Sequence, residues 1–221
     1  MQQRVGAVLT GDIIRSQRFD LAVRDSIRRE ISAATMRLAQ SPRLGGALPL
    51  PVQQFRGDGW QLPLFAPEPA LRICLLLRGH LRMRFAEKDV DTRICMGVGE
   101  MPDPNSGGAL YDGEAYILSG QGLDAMPKRG GANLAFTMSS KLSERQGFAE
   151  AIRPMLSAVD YLVERWTVKQ AAEVLRILEP TFLQEAPNPP QHERVTRYAL
   201  ERAGWPVIQG ILAYFETNIT Q

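Results

Sequence analysis

The chain has 221 residues, of which 44% are hydrophobic and 23% charged, so it can bury a sizeable core and is not a disordered tail. Its net charge of +2 excludes a protein that binds polyanions through overall charge alone. The start MQQRV lacks the apolar stretch of an export signal, and the longest apolar run, ICLLL, is too short to span a bilayer. We therefore expect a cytoplasmic protein with no membrane association.

The first part of the chain alternates strand and helix patterns. RVGAVLTGDI predicts a strand, and FDLAVRDSIRREISAATMRLAQ predicts a helix capped by Asp20. The apolar stripe of this helix follows three- and four-residue steps: Val23, Ile27, Ile31, Ala34 and Leu38. LPVQQF and WQLPLF then read as two strands around the turn RGDG.

A second helix and three further elements follow. PEPALRICLLLRGHLRMRFAE predicts a helix with its prolines in the first turn, and TRICMGVGE predicts a strand. GEAYILSGQGLDAMPKR reads as a helix loosened by Gly120 and Gly122, ANLAFTMS as a strand, and a long helical region begins near Lys141. The order βαββαβ predicts an α+β fold of the ferredoxin-like sandwich type over residues 1–140. Residues 141–165 would form a connecting helix, and 166–221 a small all-α domain.

Cys74 and Cys95 show no CxxC spacing and no neighbouring histidine. They predict buried, reduced thiols, as expected in the cytoplasm, with a disulfide as the alternative. His80 and His192 are isolated from other metal-ligating residues, and His80 on an apolar helix reads as a core residue.

Two acidic residues are predicted to meet at one edge of the sheet. Right-handed crossovers place the end of the first strand beside the turn between the second and third strands. Asp12 lies at that strand end and Asp58 in that turn. Two adjacent carboxylates favour a divalent cation, Mg²⁺ or Mn²⁺, that also contacts substrate phosphates. The alternative is structural, because Asp-Gly is common in hairpin turns and an acid at a strand end can cap a helix.

Groups suited to phosphate surround the two acids. The loop after the first strand offers backbone amides at Ile14, Arg15 and Ser16. Gly57 and Gly59 leave room for a bulky anion near Asp58, and Arg15 or Arg56 could add positive charge. These residues predict a phosphate-binding site next to the acids.

LTGDIIRS, FRGDGW and TRICMGVG together resemble the catalytic domains of class III adenylate and guanylate cyclases, over roughly residues 4–140. This resemblance implies that Asp12 and Asp58 hold two metal ions and that Ile13 contributes its backbone oxygen. It also implies a nucleoside triphosphate as ligand and a homodimer, since cyclase-like sites are often completed by a second subunit.

The chain departs from active cyclases in the helix after the fourth strand. Counted from Gly113, the positions of the transition-state Asn and Arg are occupied by Ile117 and Gln121. Lys128 and Arg129 come too late to align, although they could reach the site from the helix end. Loss of a positioned cation typically costs orders of magnitude in rate. The resemblance therefore leaves two alternatives, a nucleotidyl cyclase-like enzyme (a phosphorus–oxygen lyase) and a degenerate cyclase that binds a nucleotide without cyclising it. The whole chain also resembles the SatD family of bacterial proteins of unassigned function, which opens with TGDI and ends with a helical segment.

The C-terminal segment suggests a second, competing function. In WTVKQAAEVLRIL a helical stripe is formed by Val168, Ala171, Ala172, Leu175 and Leu178. PTFLQEA, the break PNPP and residues 191–203 then resemble a helix-turn-helix. Its candidate DNA-contacting residues are Gln191, Arg194, Thr196 and Arg197.

Charge does not favour DNA binding by this segment. Residues 160–221 hold six Lys/Arg and eight Asp/Glu, whereas DNA binders draw much of their affinity from phosphate neutralisation. The alternative is a helical unit that packs on the first part or mediates dimerisation. The sequence therefore predicts a metal-dependent nucleotide-binding regulatory protein, with a transcriptional regulator whose first part senses a ligand as the competing hypothesis.

Overall fold

The computed structural model describes residues 3–48, 50–55, 57–102, 111–128, 130–183 and 193–220. These ranges form an α+β fold with one five-stranded mixed sheet and seven α-helices, so the predicted class is confirmed. The strands are β1 (Gln3–Ile13), β2 (Gln53–Gln54), β3 (Gly59–Leu64), β4 (Thr92–Pro102) and β5 (Leu134–Met138). The helices are α1 (Leu21–Ala39), α2 (Ala70–Arg84), α3 (Glu114–Ala125), α4 (Gln146–Val163), α5 (Val168–Leu178), α6 (Glu193–Arg202) and α7 (Trp205–Asn218).

β1 occupies the centre of the sheet, whose strand order is β2-β3-β1-β4-β5. It runs antiparallel to both β3 and β4, while β4 and β5 are parallel. Near the end of β1, Asp12 pairs with Gly59 on one side and with Arg93 on the other. The end of β1 therefore lies between the β2–β3 turn and the start of β4.

α1 begins and packs as its sequence predicts. The Asp20 side chain caps it by accepting a 2.8 Å hydrogen bond from the Val23 amide. Ile27, Ile31 and Leu38 on the predicted stripe are buried against the sheet and α2. The three- and four-residue spacing of these apolar residues therefore determines which face of α1 packs into the core.

α2 is the most buried helix among the described residues, because it is covered on two sides. Every residue from Ala70 to Leu81 is buried. One side belongs to the core beneath the sheet, and the other contacts α4, α5 and α7. The two prolines precede the helix instead of entering its first turn, with Pro69 in the N-cap position. The C-terminal helices therefore share one hydrophobic core with the sheet.

His80 lies in this buried helix, as the core interpretation expected. Its Nε2 atom is 2.6 Å from Glu30 Oε1 and 3.0 Å from Arg37 Nη2, and its ring packs edge-on against Phe182. Burial lowers the pKa of His80 below its usual value, against the opposing effect of Glu30. His192 lies outside the described residues.

α3 covers the opposite face of the sheet at very close range. A Cβ atom on Gly97 of β4 would come 2.4 Å from the Ser119 amide nitrogen, and one on Gly122 would come 2.3 Å from Cys95 Sγ. Gly122 therefore lets the helix approach the strand, and α3 is continuous where we expected it to be loosened. Both cysteines are free and buried, as predicted.

The C-terminal helices differ from the prediction in detail. On α5 the buried face includes Val174, whereas Val168 is exposed, because neighbouring helices cover a face rotated from the predicted stripe. In PTFLQEA, residues 180–182 form a turn and not a helix. Residues 184–192, with the predicted PNPP turn and Gln191, lie outside the described residues. None of the helices in the described ranges has the length and apolar character needed to cross a membrane.

Candidate functional site

A cavity of about 560 Å³ lies where β1 ends. It collects residues from four separate segments of the chain: β1 with its following loop, the β2–β3 turn, β4, and the segment after α3. The lining residues are Asp12, Ile13, Ile14, Arg15, Ser16, Gln17, Arg18, Asp58, Arg93 and Lys128. The two acids that strand geometry predicts to meet therefore line one cavity.

The Gly11-Asp12 step is explained by the packing around β1. A Cβ atom on Gly11 would come within 2.5 Å of the Trp60 ring, so only glycine lets that indole lie across the strand. Trp60 Nε1 donates to Thr92 Oγ1 at 3.2 Å, and Thr92 Oγ1 donates to the backbone oxygen of Asp12 at 2.7 Å. These contacts fix the end of β1, with Asp12 at the cavity.

Asp58 is brought to the cavity by a tight turn. The Phe55 amide donates to the Gly59 carbonyl at 2.9 Å and closes the turn. Gly57 adopts a φ of +96°, which side chains other than glycine rarely permit. Asp58 is half-buried. Arg56, predicted as a phosphate ligand, lies outside the described residues.

The loop after β1 forms one wall of the cavity. The Ile14 amide donates to the Asp91 carbonyl at 3.0 Å, which ties the loop to the start of β4. Arg15 then adopts left-handed backbone angles (φ +53°, ψ +39°) and leads into a short 3-10 helix, Ser16–Arg18. Arg18 donates to the Lys88 carbonyl at 2.8 Å. Arg15 is exposed and has no ion-pair partner among the described residues.

Asp12 is already paired with a cation of the protein itself. Arg93 Nε donates to Asp12 Oδ1 at 2.9 Å, and Nη2 donates to Oδ2, so both carboxylate oxygens are engaged. Arg93 Nη1 also donates to the Met126 carbonyl at 2.8 Å. The Arg93 side chain is 6% exposed and that of Asp12 is 24% exposed. This bidentate pair has the geometry that makes Arg–carboxylate contacts strong and directional.

The donor set does not fit the pair of divalent ions that the resemblance implies. Asp58 offers a carboxylate with no ion-pair partner in the described part of the chain, but both oxygens of Asp12 accept hydrogen bonds from Arg93. Among the described residues, no three His, Cys, Asp or Glu side chains cluster in a way that could hold a metal. Metal binding at Asp12, Ile13 and Asp58 stays a prediction that this arrangement does not favour.

Positive charge exceeds negative charge in the cavity. Four cationic side chains line it, Arg15, Arg18, Arg93 and Lys128, against the two carboxylates. Arg93 is paired with Asp12, and Arg18 Nη2 is 3.6 Å from Asp89 Oδ2, so Arg15 and Lys128 remain against Asp58. Lys128 reaches the cavity from beyond the end of α3, as its sequence position allowed; Arg129 lies outside the described residues. The cavity therefore suits an anionic ligand.

The helix positions expected to carry catalytic Asn and Arg face solvent. Ile117 is 56% exposed and Gln121 is also exposed on the outer side of α3. Neither residue lines the cavity. Neither side chain carries the charge that would stabilise a triphosphate transition state.

A buried ion network lies beneath the loop. Arg78 on α2 is fully buried and donates to both oxygens of Asp91, at 3.0 and 2.7 Å, and to Asp160 of α4 at 2.5 Å. Asp160 also accepts from the Asn133 amide at 2.6 Å. Because the Asp91 carbonyl holds the Ile14 amide, this network supports the cavity wall.

The candidate DNA-binding residues are only partly described. Arg194, Thr196 and Arg197 lie on α6. The Arg197 side chain is 83% exposed, and its Nε is 3.2 Å from Glu201 Oε1. DNA contact stays a prediction, with the acidic balance of the segment against it.

Three residues that line the cavity were not predicted, Gln17, Arg18 and Arg93, and of these Arg93 contacts Asp12. The sequence carries one signal for Arg93, an arginine followed by six residues that are apolar or glycine (residues 94–99) in a predicted strand. No protein-family model matches the chain, and no curated protein matches it either. Its function is therefore inferred from the geometry of the cavity.

Proposed function

We propose that the protein binds a nucleoside triphosphate in the cavity at the end of β1, as a regulatory relative of class III cyclase domains that does not cyclise it. The observation that carries this proposal is the convergence of Arg15, Arg93, Lys128 and two carboxylates from four chain segments on one cavity. Charged groups that are remote in sequence and converge on an open cavity, unlike those of the buried Arg78 network, are typical of a site for a charged ligand.

The size and polarity of the cavity support a ligand of this class. Small-molecule sites typically measure roughly 300–1,000 Å³, and this cavity measures about 560 Å³. Arg15 and Lys128 have no ion-pair partners among the described residues, so they are available to phosphate oxygens. Both belong to loop segments, where binding residues concentrate on a rigid scaffold.

The sheet topology supports the proposed relationship. We propose a ferredoxin-like βαββαβ sandwich to which α3 and β5 are added, and the strand order β2-β3-β1-β4 with antiparallel neighbours supports it. On this proposal the chain is a cyclase-like member of the SatD family. With Ile117 and Gln121 in place of the transition-state residues, incubation with ATP or GTP should yield no cyclic nucleotide and no pyrophosphate.

Isothermal titration calorimetry with ATP, GTP and inorganic triphosphate tests this proposal. We expect Lys128→Gln to weaken binding about fivefold to tenfold, because one charge-assisted contact to phosphate is lost. Lys169→Gln is the matched control, since Lys169 is exposed on α5 and does not line the cavity. Absence of binding by the wild-type protein, or an equal effect of the two lysine variants, would refute the proposal.

A further inference from the structure

We infer that Arg93 is the resident cation of this site and that the phosphates of the ligand bind there without a divalent metal ion. The inference rests on the proposed function and names how its ligand is held. It assigns to Arg93 the position beside Asp12 where the cyclase resemblance places a metal.

Arg93 is built into the fold as a permanent positive charge. A guanidinium is not deprotonated in proteins, so its charge does not depend on pH or on an ion taken from solution. Three groups hold it in place: the Asp12 carboxylate, the Met126 carbonyl at 2.8 Å and the Pro127 carbonyl at 3.3 Å. The two carbonyls come from the segment that follows α3, so the packing of that helix sets the position of the charge.

The same contacts oppose a divalent ion at Asp12. Each Asp12 oxygen already accepts a hydrogen bond from a nearly buried guanidinium. A metal ion that takes the remaining lone pairs of these oxygens lies next to Arg93, and one that displaces Arg93 leaves that charge with two carbonyls as acceptors. In both cases two positive centres repel each other at short range. Asp58 is then the carboxylate without an ion pair among the described residues that line the cavity, which is a weak donor set for a free cation.

The same charges that oppose binding of a metal ion favour binding of an anion. Asp12 and Arg93 largely cancel each other, and Arg15 and Lys128 then outweigh Asp58. Phosphate oxygens at this cavity meet arginine and lysine donors directly and need no bridging ion. Mg²⁺ bound to a triphosphate would reduce the charge that these donors recognise.

The first test compares the affinity for inorganic triphosphate and for ATP in the presence of EDTA and in the presence of Mg²⁺, by calorimetry on the wild-type protein. We expect the affinity in EDTA to equal or exceed that in Mg²⁺, and titration with Mn²⁺ alone to give no binding heat. Binding that appears only with Mg²⁺ or Mn²⁺ would overturn the inference while leaving the proposed function standing. No binding in either condition would refute the proposed function and the inference with it.

The second test uses Asp12→Asn. A metal site and an arginine site predict opposite changes in triphosphate affinity for this variant. If Asp12 held a metal, the variant would lose triphosphate affinity. If Arg93 is the resident cation, the variant frees its charge, and triphosphate binding should tighten by about threefold to fivefold. Asp25→Asn on α1 is the control with the same charge change away from the cavity. Weaker binding by folded Asp12→Asn, with Asp25→Asn unchanged, would overturn the inference.

Discussion

We predict that Arg15, which has a left-handed backbone conformation, lowers the folding stability of the protein but contributes to ligand binding in the cavity. Arg15 and Asp89 are the two non-glycine residues with positive φ in the described ranges, and Arg15 lines the cavity. Backbone strain of this kind persists where surrounding structure imposes it, and it clusters at binding sites. The pair of variants Arg15→Gly and Arg15→Ala separates the strain from the charge.

The expected magnitudes follow from the backbone angles. A side chain in the left-handed region costs roughly 1–2 kcal/mol, which glycine removes and alanine keeps. Glycine also makes the unfolded chain more flexible, which offsets about 0.4–1 kcal/mol of that gain. Because Arg15 has no ion pair among the described residues, little else is lost. We expect Arg15→Gly to be about 1 kcal/mol more stable than Arg15→Ala.

Urea unfolding measures the stability difference, and titration with inorganic triphosphate measures binding. Both variants lack the guanidinium, so both should bind about fivefold to tenfold more weakly than the wild type. The sign of the stability difference tests the left-handed conformation. In an ordinary helical conformation, a glycine variant is about 1 kcal/mol less stable than an alanine variant. Arg15→Ala being the more stable variant would refute the assigned conformation.

Three further predictions concern the interior. Arg78→Ala should lose about 3–5 kcal/mol of folding free energy, because the buried Asp160 carboxylate loses its cation and the buried Asp91 carboxylate keeps only Arg82, and Arg78→Met should do little better; urea unfolding checks this. Burial lowers the pKa of His80 in the folded protein, despite the opposing effect of Glu30. As the pH falls below about 6.5, the unfolded chain therefore binds more protons at this residue than the folded protein does, and the melting temperature should fall between pH 7 and 5. A similar fall in His80→Gln would contradict that assignment. Burial raises the pKa of the Cys74 thiol, and it raises that of Cys95 to about 11. A thiol reagent should therefore modify both cysteines only at the rate at which the protein unfolds. Rapid modification of the native protein would contradict the buried placement of these residues.

Features governed by local pattern or by chain handedness were predictable from the sequence. The Asp20 cap and the buried stripe of α1 depend on residues within a few positions of one another. That Asp12 and Asp58 line one cavity follows from strand order and from the hand of the crossover, which is nearly invariant. Both features can therefore be predicted without knowledge of side-chain packing.

Features governed by tertiary partners were not predictable. Whether Val168 or Val174 is buried depends on which neighbouring helices cover α5, and both positions are apolar in sequence. Gly122 weakens helix propensity locally, yet its role is set by Cys95 on another element. The pairing of Arg93 with Asp12 requires the register between β1 and β4. A single sequence fixes none of these contacts.

The buried network also explains why a helical segment that carries no recognised site matters to the cavity. Asp160 on α4 shares Arg78 with Asp91, and the Asp91 carbonyl holds the amide of Ile14 at the cavity wall. Arg78 is fully buried and forms ion pairs with both carboxylates, so it links α4 to the residue that precedes β4. The packing of the C-terminal helices on α2 therefore fixes the loop that presents Arg15, and these helices can be required for binding without contacting the ligand.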